Sequence, residues 1–228
     1  MQTELAREQM VEQQVRALDV LDERVLTTLR KVPREQFVPA KVKYLAFADT
    51  EIPLPHGQHM LRPSLIGKML QALELQGTER VLEVGTGSGF MTACLAINAA
   101  TVRSVELYPD LAELARANLR SAGIRNAEVI TADAASDEVA SPAGRAAGSP
   151  FGGLYDAVVL TCAMPLPDER FRTLLTHGGR MFVIVGEPPV QEARLLQRMG
   201  DREWERTVLF ETCIDPLINA RRAPAFTF

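Results

Sequence analysis

The sequence predicts a doubly wound α/β fold, in which a mostly parallel sheet carries helices on both faces and follows a helical N-terminal extension. Two observations predict it: apolar segments alternate with amphipathic ones after residue 79, and a glycine-rich turn follows the first of these apolar segments. Such alternation is typical of βαβ units and a parallel sheet. We expect a single domain over 1–228, with a helical cap region at 1–60 and a cofactor-binding core at 61–228.

The N-terminal part is predicted to be helical. Residues 4–31 have apolar side chains at helical spacing, and Asp22 is placed to cap a second helix within that range. The prolines of VPREQFVP (32–39) end this region, because the residue before a proline disfavours helix. SLIGKMLQAL (64–73) is predicted to be an amphipathic helix with Ser64 as its N-cap.

The remainder of the chain alternates between predicted strands and helices. We predict strands at 80–84, 101–107, 127–133, 155–161, 180–186 and 207–213, the last of them at an edge of the sheet. We predict helices at 90–100 and 109–123, the second ending at Gly123, a residue type that favours helix termination. The segment 134–153 is rich in small and polar residues, which predicts a surface loop.

Composition excludes several classes of protein. The chain has 228 residues, a formal net charge of -4 and a pI of about 5.5, so it lacks the basic surface of a nucleic-acid-binding protein. Its three cysteines form no CxxC pair, which argues against disulfides and a metal site. The N-terminus has neither a secretory signal nor a membrane-spanning segment. We therefore expect a cytoplasmic protein, monomeric or weakly self-associating, with no membrane or nucleic-acid partner.

The segment VLEVGTGSGF (81–90) has the strongest functional signal. Its turn contains three alternating glycines, Gly85, Gly87 and Gly89. Glycines let a ligand approach the backbone, and the following helix N-terminus attracts polar or negative groups. A dinucleotide fingerprint would need glycine where Phe90 stands, so a nicotinamide oxidoreductase is the less favoured alternative. Glu83 suits a cofactor with a positively charged amine instead.

Acidic residues also end the next two predicted strands. Glu106 is placed to accept hydrogen bonds from both hydroxyls of a ribose, and Asp133 to reach an adenine amino group. Ligands of such sheets bind outside the carboxyl ends of the strands. Together with the glycine turn, these acids predict S-adenosyl-L-methionine, which has an amine, a ribose and an adenine but no phosphate. The alternative is that Glu106 and Asp133 are only polar residues at strand ends.

Five segments occur in an order and spacing that resemble the protein-L-isoaspartate O-methyltransferase family. They are VPREQFVP, PLPHGQ, RVLEVGTGSGF, YDAVVLTCA and HGGRMFVIVG, and the resemblance extends from Met10 to Leu217. It implies a seven-stranded, Rossmann-like methyltransferase fold. It also implies methyl transfer from S-adenosyl-L-methionine to the α-carboxylate of an L-isoaspartyl residue, a step in protein repair. The implied partner is a peptide, a protein or a small carboxylate.

By position, the resemblance also implies which residues bind the cofactor. They are Glu83, Gly85, Thr86, Gly87, Ser88, Gly89, Glu106, Leu107, Asp133, Ala134 and Thr161. Around Asp133 the GDG of the family is ADA, which alters the adenine pocket slightly. Cys162 stands where the family has a small residue, and we interpret it as a packing residue rather than a nucleophile.

The loop HGQHMLRP (56–63) departs from the family pattern I-G-x-G-Q-T-I-S-Q-P. The serine with the family's catalytic role corresponds to Leu61, which has no hydrogen-bond donor or acceptor in its side chain. His59 and Arg62 offer donors for a carboxylate, so we assign the acceptor chemistry to His59, Leu61 and Arg62. Three interpretations stay open: isoaspartyl methylation, a site rebuilt for another acceptor, and a silent cofactor-binding protein.

Overall fold

A seven-stranded sheet forms the centre of the computed structural model, which describes residues 2–141, 146 and 148–221. The helices are α1 (Gln2–Met10), α2 (Glu23–Lys31), α3 (Arg34–Phe37), α4 (Pro63–Leu73), α5 (Phe90–Asn98) and α6 (Pro109–Ser121). The strands are β1 (Ile52–Pro53), β2 (His59–Met60), β3 (Arg80–Val84), β4 (Thr101–Glu106), β5 (Ala127–Thr131), β6 (Tyr155–Met164), β7 (Leu175–Glu187), β8 (Val190–Arg198) and β9 (Trp204–Thr212). Strands β1 and β2 pair with each other in a separate small sheet.

The strand order of the large sheet is β5-β4-β3-β6-β7-β8-β9. Strands β3 to β7 pair in parallel, whereas β8 and β9 add antiparallel strands at one side. This arrangement confirms the predicted doubly wound, mostly parallel fold. After β3 the chain moves outward through β4 and β5 and then returns to the other side of β3. The order therefore reverses between β3 and β6, which is where ligands bind in such sheets.

Alternating residues of the central strands pack on opposite faces of the sheet. Val81 and Val159 belong to the large core cluster that also contains the buried residues of α4, α5 and α6. Leu82 and Leu160 belong to a second cluster on the other face, together with Phe151. There the covering elements include two 3₁₀ helices, Asp137–Ala140 and Glu169–Leu174.

The predicted surface loop 134–153 contributes to this second face. Val139 and Phe151 have no exposed surface, so the described parts of the segment pack on the sheet rather than extending into solvent. Residues 142–145 and 147 lie outside the described part of the chain.

The predicted N-terminal helices are present and pack on the large core. Helix α1 continues through a π turn and a 3₁₀ turn to Asp19, whose backbone is left-handed with φ of 68°. Helix α2 begins where the sequence predicts, because the Asp22 carboxylate accepts a hydrogen bond from the Arg24 N–H at 2.8 Å. The predicted boundary between residues 60 and 61 follows directly after β2.

The predicted N-cap of the helix at 64–73 is wrong. Helix α4 begins one residue earlier, at Pro63, and Ser64 lies within its first turn. The N–H and the hydroxyl of Ser64 both donate to Asp49, at 2.9 and 2.7 Å. Proline fits the first helical position because it needs no hydrogen-bond acceptor there, and a carboxylate from the preceding loop replaces the local cap.

Most strand bounds differ from the predicted ones by a few residues; β7, for example, begins at Leu175 rather than at residue 180. Strand β5 ends at Thr131, so Asp133 lies just beyond it rather than within it. No element is predicted from the sequence for 190–198, where the structure has strand β8. Its residues VQEARLLQR include several that favour helices, and pairing with β7 and β9 overrides that preference. The predicted edge strand is present as β9. No helix of the described residues has both the length and the apolar character needed to cross a membrane.

Candidate active site

A cavity of about 720 Å³ lies at the carboxyl ends of β3, β4, β5 and β6. Three further segments complete its wall: the loop after β1, the residues around β2, and the C-terminal segment 215–218. The cavity therefore lies where the strand order reverses, and it extends from the cofactor side predicted from the sequence to the predicted acceptor loop.

The glycine-rich turn supplies backbone to the cavity wall. Gly85 and Gly87 line the cavity and have positive φ values of 95° and 54°. A Cβ atom on Gly85 would lie 2.4 Å from the Thr161 hydroxyl oxygen. That hydroxyl lies 2.5 Å from the Gly85 carbonyl oxygen, to which it donates. Gly89 lies behind the turn, where an added Cβ would meet the Ala115 backbone of α6 at 3.3 Å, so it serves helix packing.

Glu106 connects the end of β4 to the glycine turn. One carboxylate oxygen accepts from the Gly87 N–H at 2.8 Å, and the other accepts from the Tyr108 N–H at 3.0 Å. The side chain is buried but borders the cavity. A carboxylate has about four lone-pair positions, so Glu106 retains the capacity to accept hydrogen bonds from a ligand.

The next strand end supplies the far wall of the cavity. Asp133 lines it and accepts from the Ala135 N–H at 2.8 Å and from the Asn219 side-chain amide at 2.9 Å. Leu107 and Ala134, both predicted cofactor contacts, also line it. The sequence does not predict a role for Asn219, because this residue is 86 positions from Asp133 and meets it only in the folded chain.

Glu83, in contrast, is not brought to the cavity wall. Its carboxylate is fully buried on the helix face of β3, where the Thr92 and Ser104 hydroxyls donate to one oxygen at 2.5 and 2.6 Å. Burial raises the pKa of Glu83 to about 8, against the effect of these two hydrogen bonds. Since side chains alternate along a strand, Glu83 lies beneath the turn and supports it rather than bordering the cavity.

Thr86 and Ser88 line a smaller, adjoining cavity of about 320 Å³. Both residues are buried, and the Thr86 hydroxyl lies 2.5 Å from that of Ser104. The two cavities share part of their walls, namely His59, Leu61, Gly85, Gly87 and Thr161. These shared residues lie between the predicted cofactor edge and the acceptor loop.

Of the three predicted acceptor residues, His59 and Leu61 border the cavity and Arg62 does not. Arg62 immediately precedes α4, and its guanidinium donates to the hydroxyl of Thr212, the last residue of β9, at 3.1 Å. Leu61 is buried, and its carbonyl accepts from the buried Arg34 at 2.9 Å. Helix α4 begins at Pro63, so the side chains at 61 and 62 diverge, and the guanidinium predicted to bind a carboxylate lies outside the cavity lining.

Two carboxylates of this end of the cavity were missed by sequence reasoning. Asp215 lies 2.8 Å from Nδ1 of His59, and Glu51 lines the same region. Burial, together with the negative charge of Asp215, raises the pKa of Glu51. Neither residue belongs to a local motif, and Asp215 is separated from His59 by most of the chain.

The electrostatic character of the cavity is acidic. Its lining contains four carboxylates, Glu51, Glu106, Asp133 and Asp215. Among the described lining residues there is no lysine or arginine, and His59 is the single side chain able to take a positive charge near neutral pH. Burial raises the pKa of the Cys162 thiol to about 12, with the charges of Glu106 and Asp215 acting in the same direction. The thiol form supports our interpretation of Cys162 as a packing residue.

A second histidine of the loop lies at the rim of the cavity, outside its lining. Nε2 of His56 lies 2.9 Å from both carboxylate oxygens of Asp110, and its ring stacks on Tyr108 with the centroids 4.0 Å apart. His56 has a left-handed backbone with φ of 61°. This contact attaches the loop to the beginning of α6.

Comparisons with known proteins identify the relatives of this chain. The sequence profile of the family "Protein-L-isoaspartate(D-aspartate) O-methyltransferase" matches residues 5–221. A protein-L-isoaspartate O-methyltransferase of Methanoculleus marisnigri is 39% identical over 93% of this chain and 91% of its own length. One from Koribacter versatilis is 36% identical over 97% and 95%. A crystal structure from Plasmodium falciparum, described as a protein-L-isoaspartate O-methyltransferase in complex with S-adenosyl-L-homocysteine, is similar with a TM-score of 0.77 at 21% identity, over 93% of this chain and 98% of that one.

Proposed function

Because the chain belongs to the protein-L-isoaspartate (D-aspartate) O-methyltransferase family, we propose that it methylates the α-carboxylate of L-isoaspartyl residues in peptides and proteins. The family and the enzyme class predicted from the sequence, an S-adenosyl-L-methionine-dependent methyltransferase, are confirmed. The observation that supports the substrate is the extent of the match: it spans the acceptor loop and the C-terminal segment as well as the cofactor turn.

The chemistry of the cavity wall fits the cofactor. S-adenosyl-L-methionine supplies a methyl group activated by a sulfonium and has a second positive charge on its amine. An acidic lining without lysine or arginine among the described residues suits these charges, whereas it would repel the pyrophosphate of a dinucleotide. We propose that Glu106 accepts hydrogen bonds from the ribose and Asp133 from the adenine amino group. Gly85 and Gly87 leave room for the amino acid part beside their backbone.

Methyl transfer to a carboxylate places few chemical demands on the protein. The acceptor is already ionised at neutral pH, so no strong base is needed, and the rate depends on alignment within a water-poor site. We propose that the acceptor enters where His59, Leu61 and Thr161 border the glycine turn. Leu61 would form an apolar wall there. A cytoplasmic location and a monomeric or weakly associating state remain our predictions.

The first experiment measures transfer of a labelled methyl group to an L-isoaspartyl peptide and to the matched peptide with an ordinary L-aspartyl residue. We expect the wild-type protein to methylate only the isoaspartyl peptide. Failure on both peptides by a protein that binds S-adenosyl-L-homocysteine would contradict the proposed substrate. Thermal stabilisation by a nicotinamide dinucleotide alone would contradict the proposed cofactor.

The Leu61→Ser variant, assayed in parallel, tests the divergent loop. If a serine hydroxyl is the missing group, the variant should gain roughly 10²-fold in rate, the effect of one preorganised donor. A change much smaller than this would indicate that another side chain already provides the contact in the wild-type protein.

A further inference from the structure

The acceptor end of the cavity, where His59 and Leu61 lie, would place an acceptor carboxylate beside two other carboxylates. The proposed acceptor is an anion, yet Glu51 and Asp215 are both part of this end of the wall. Like charges a few ångströms apart repel, and the repulsion increases when water is excluded. Leu61 provides no hydrogen bond to offset it. A carboxylate therefore needs a cationic donor here, and among the described lining residues His59 is the side chain that can become one.

The geometry holds His59 in a defined orientation. Nδ1 lies 2.8 Å from a carboxylate oxygen of Asp215, so this nitrogen carries the proton of the hydrogen bond, and Nε2 remains for another partner. Asp215 is itself fixed by the backbone. Its carbonyl accepts from the Ala163 N–H at 2.8 Å, and the Leu217 N–H donates to the Ala163 carbonyl at 2.8 Å. The end of β6 thus holds the segment that positions the histidine.

We propose that His59, positioned by Asp215, binds the acceptor carboxylate through Nε2 as an imidazolium, in place of the loop hydroxyl that Leu61 lacks. This inference rests on the proposed function. Asp215 acts through His59: it orients the ring and stabilises the positive charge. Before the acceptor binds, both side chains are 36% exposed, so solvent weakens their attraction. An acceptor at Nε2 would exclude water from the pair and strengthen it.

The charged groups around His59 set the expected pH dependence. Asp215 contacts Nδ1 of His59, and Glu51 interacts electrostatically with His59, Asp215 and Arg62. The imidazolium loses its proton as the pH rises, so binding of a carboxylate should weaken. A neutral His59 acting as a base, for an acceptor that must lose a proton, would give the opposite slope. The direction of the pH profile therefore distinguishes the two roles.

The test is the pH dependence of kcat/KM for the L-isoaspartyl peptide. We expect kcat/KM of the wild-type protein to fall as the pH rises. In Asp215→Asn the fall should move to lower pH, because the imidazolium loses the carboxylate that stabilises it. In His59→Gln, which retains a donor without a charge, that fall should disappear. Glu51→Gln should retain the fall of kcat/KM, and this result would assign the fall to His59 rather than to Glu51.

Asp110→Asn is the matched control. It removes the carboxylate of the other histidine–aspartate contact of the loop, His56 with Asp110, which lies outside the cavity lining. We expect its pH profile to match that of the wild-type protein. Binding of S-adenosyl-L-homocysteine by calorimetry checks that each variant is folded.

These measurements test the proposed substrate and the role of His59 separately. A wild-type protein that methylates no isoaspartyl peptide at any pH overturns the proposed function, and the role of His59 with it. An active protein overturns the inference alone if Asp215→Asn leaves the pH profile in place, or if the rate rises with pH through the titration of His59.

Discussion

The cofactor edge and the acceptor end of the cavity are built in different ways. The cofactor edge consists of consecutive strand ends and of backbone: Glu106 binds the N–H groups of Gly87 and Tyr108, and Gly85 approaches Thr161. The acceptor end consists of side chains brought from distant parts of the chain, His59 and Asp215. A backbone site tolerates little change in sequence, whereas a side-chain pair can be exchanged without altering the fold.

The two histidines of the acceptor loop show the same contrast on a smaller scale. His56 and His59 each contact one aspartate, at 2.9 and 2.8 Å. His56 lies outside the cavity lining and attaches the loop to α6, while His59 borders the cavity. Residue type and local sequence do not separate these roles. The partner carboxylate and its position in the fold do.

The largest expected effect is at the cofactor edge, in Gly85→Ala. The new Cβ would clash with the Thr161 hydroxyl at a positive φ, and we expect a loss of roughly 3 kcal/mol or more in the free energy of unfolding. Binding of S-adenosyl-L-homocysteine should weaken as well. Gly77→Ala is the control, since Gly77 has a similar φ of 91° but no atom within 4 Å of an added Cβ. If chemical denaturation showed the same loss of unfolding free energy in both variants, the close approach of Gly85 to Thr161 would not be the cause.

The second prediction concerns the carboxyl group beneath the cofactor turn. Because burial raises the pKa of Glu83 from 4.5 to about 8, the folded protein keeps a proton that the unfolded chain loses, and stability should fall as the pH rises across this range. Glu83→Gln should remove this fall, which amounts to roughly 1.4 kcal/mol for each pH unit between the two pKa values.

Urea denaturation at a series of pH values measures the difference. Glu128→Gln, at an exposed glutamate of β5, should retain the pH dependence of the wild-type protein. A constant difference between Glu83→Gln and the wild-type protein would mean that Glu83 is ionised in the folded state throughout.

Arg34→Met tests the support of the acceptor loop. Arg34 is buried, donates to the carbonyls of Leu61 and Ala46 at 2.9 and 3.1 Å, and lies 4.7 Å from the centre of the Phe90 ring. Without it the loop loses an anchor, and we expect kcat/KM for the peptide to fall about 10-fold through misplacement of the acceptor.

Cofactor affinity should change little in Arg34→Met, because the glycine turn is held by other contacts. The same substitution at the exposed Arg24 is the control for both measurements. If affinity for S-adenosyl-L-homocysteine and kcat/KM fell together, Arg34 would support the cofactor edge as well as the acceptor loop.

An effect of similar size is expected in Glu106→Gln, on the cofactor side. The amide keeps an acceptor oxygen for one backbone N–H, but it places an NH2 group against the other N–H and loses the charge. We expect these changes to weaken binding of S-adenosyl-L-homocysteine by about 10-fold. Calorimetric titration measures it. Unchanged affinity would show that Glu106 orders the turn without binding the ribose.

Sequence reasoning predicted the cofactor half more completely than the acceptor half. Glu106 and Asp133 follow parallel strands, and the carboxyl ends of such strands meet at one edge, so chain order alone brings them together. Glu83 does not border the cavity, because its position in the alternation of β3 directs its side chain to α5. Arg62 lies outside the cavity lining, because the helix begins at Pro63 and the Arg62 side chain contacts Thr212.

By itself the sequence determined the alternation of strands and helices from β3 to β7, the glycine turn, the acids at the strand ends and the family. The first three depend on local periodicity or on a motif within one segment, and the family depends on the order and spacing of five segments. Only the tertiary structure decided that Asp215 meets His59, that Asn219 meets Asp133 and that Arg34 supports Leu61. These contacts join residues at least 27 positions apart in the chain. The contacts of Asp215 and Asn219 also require the C-terminal segment to lie beside the end of β6.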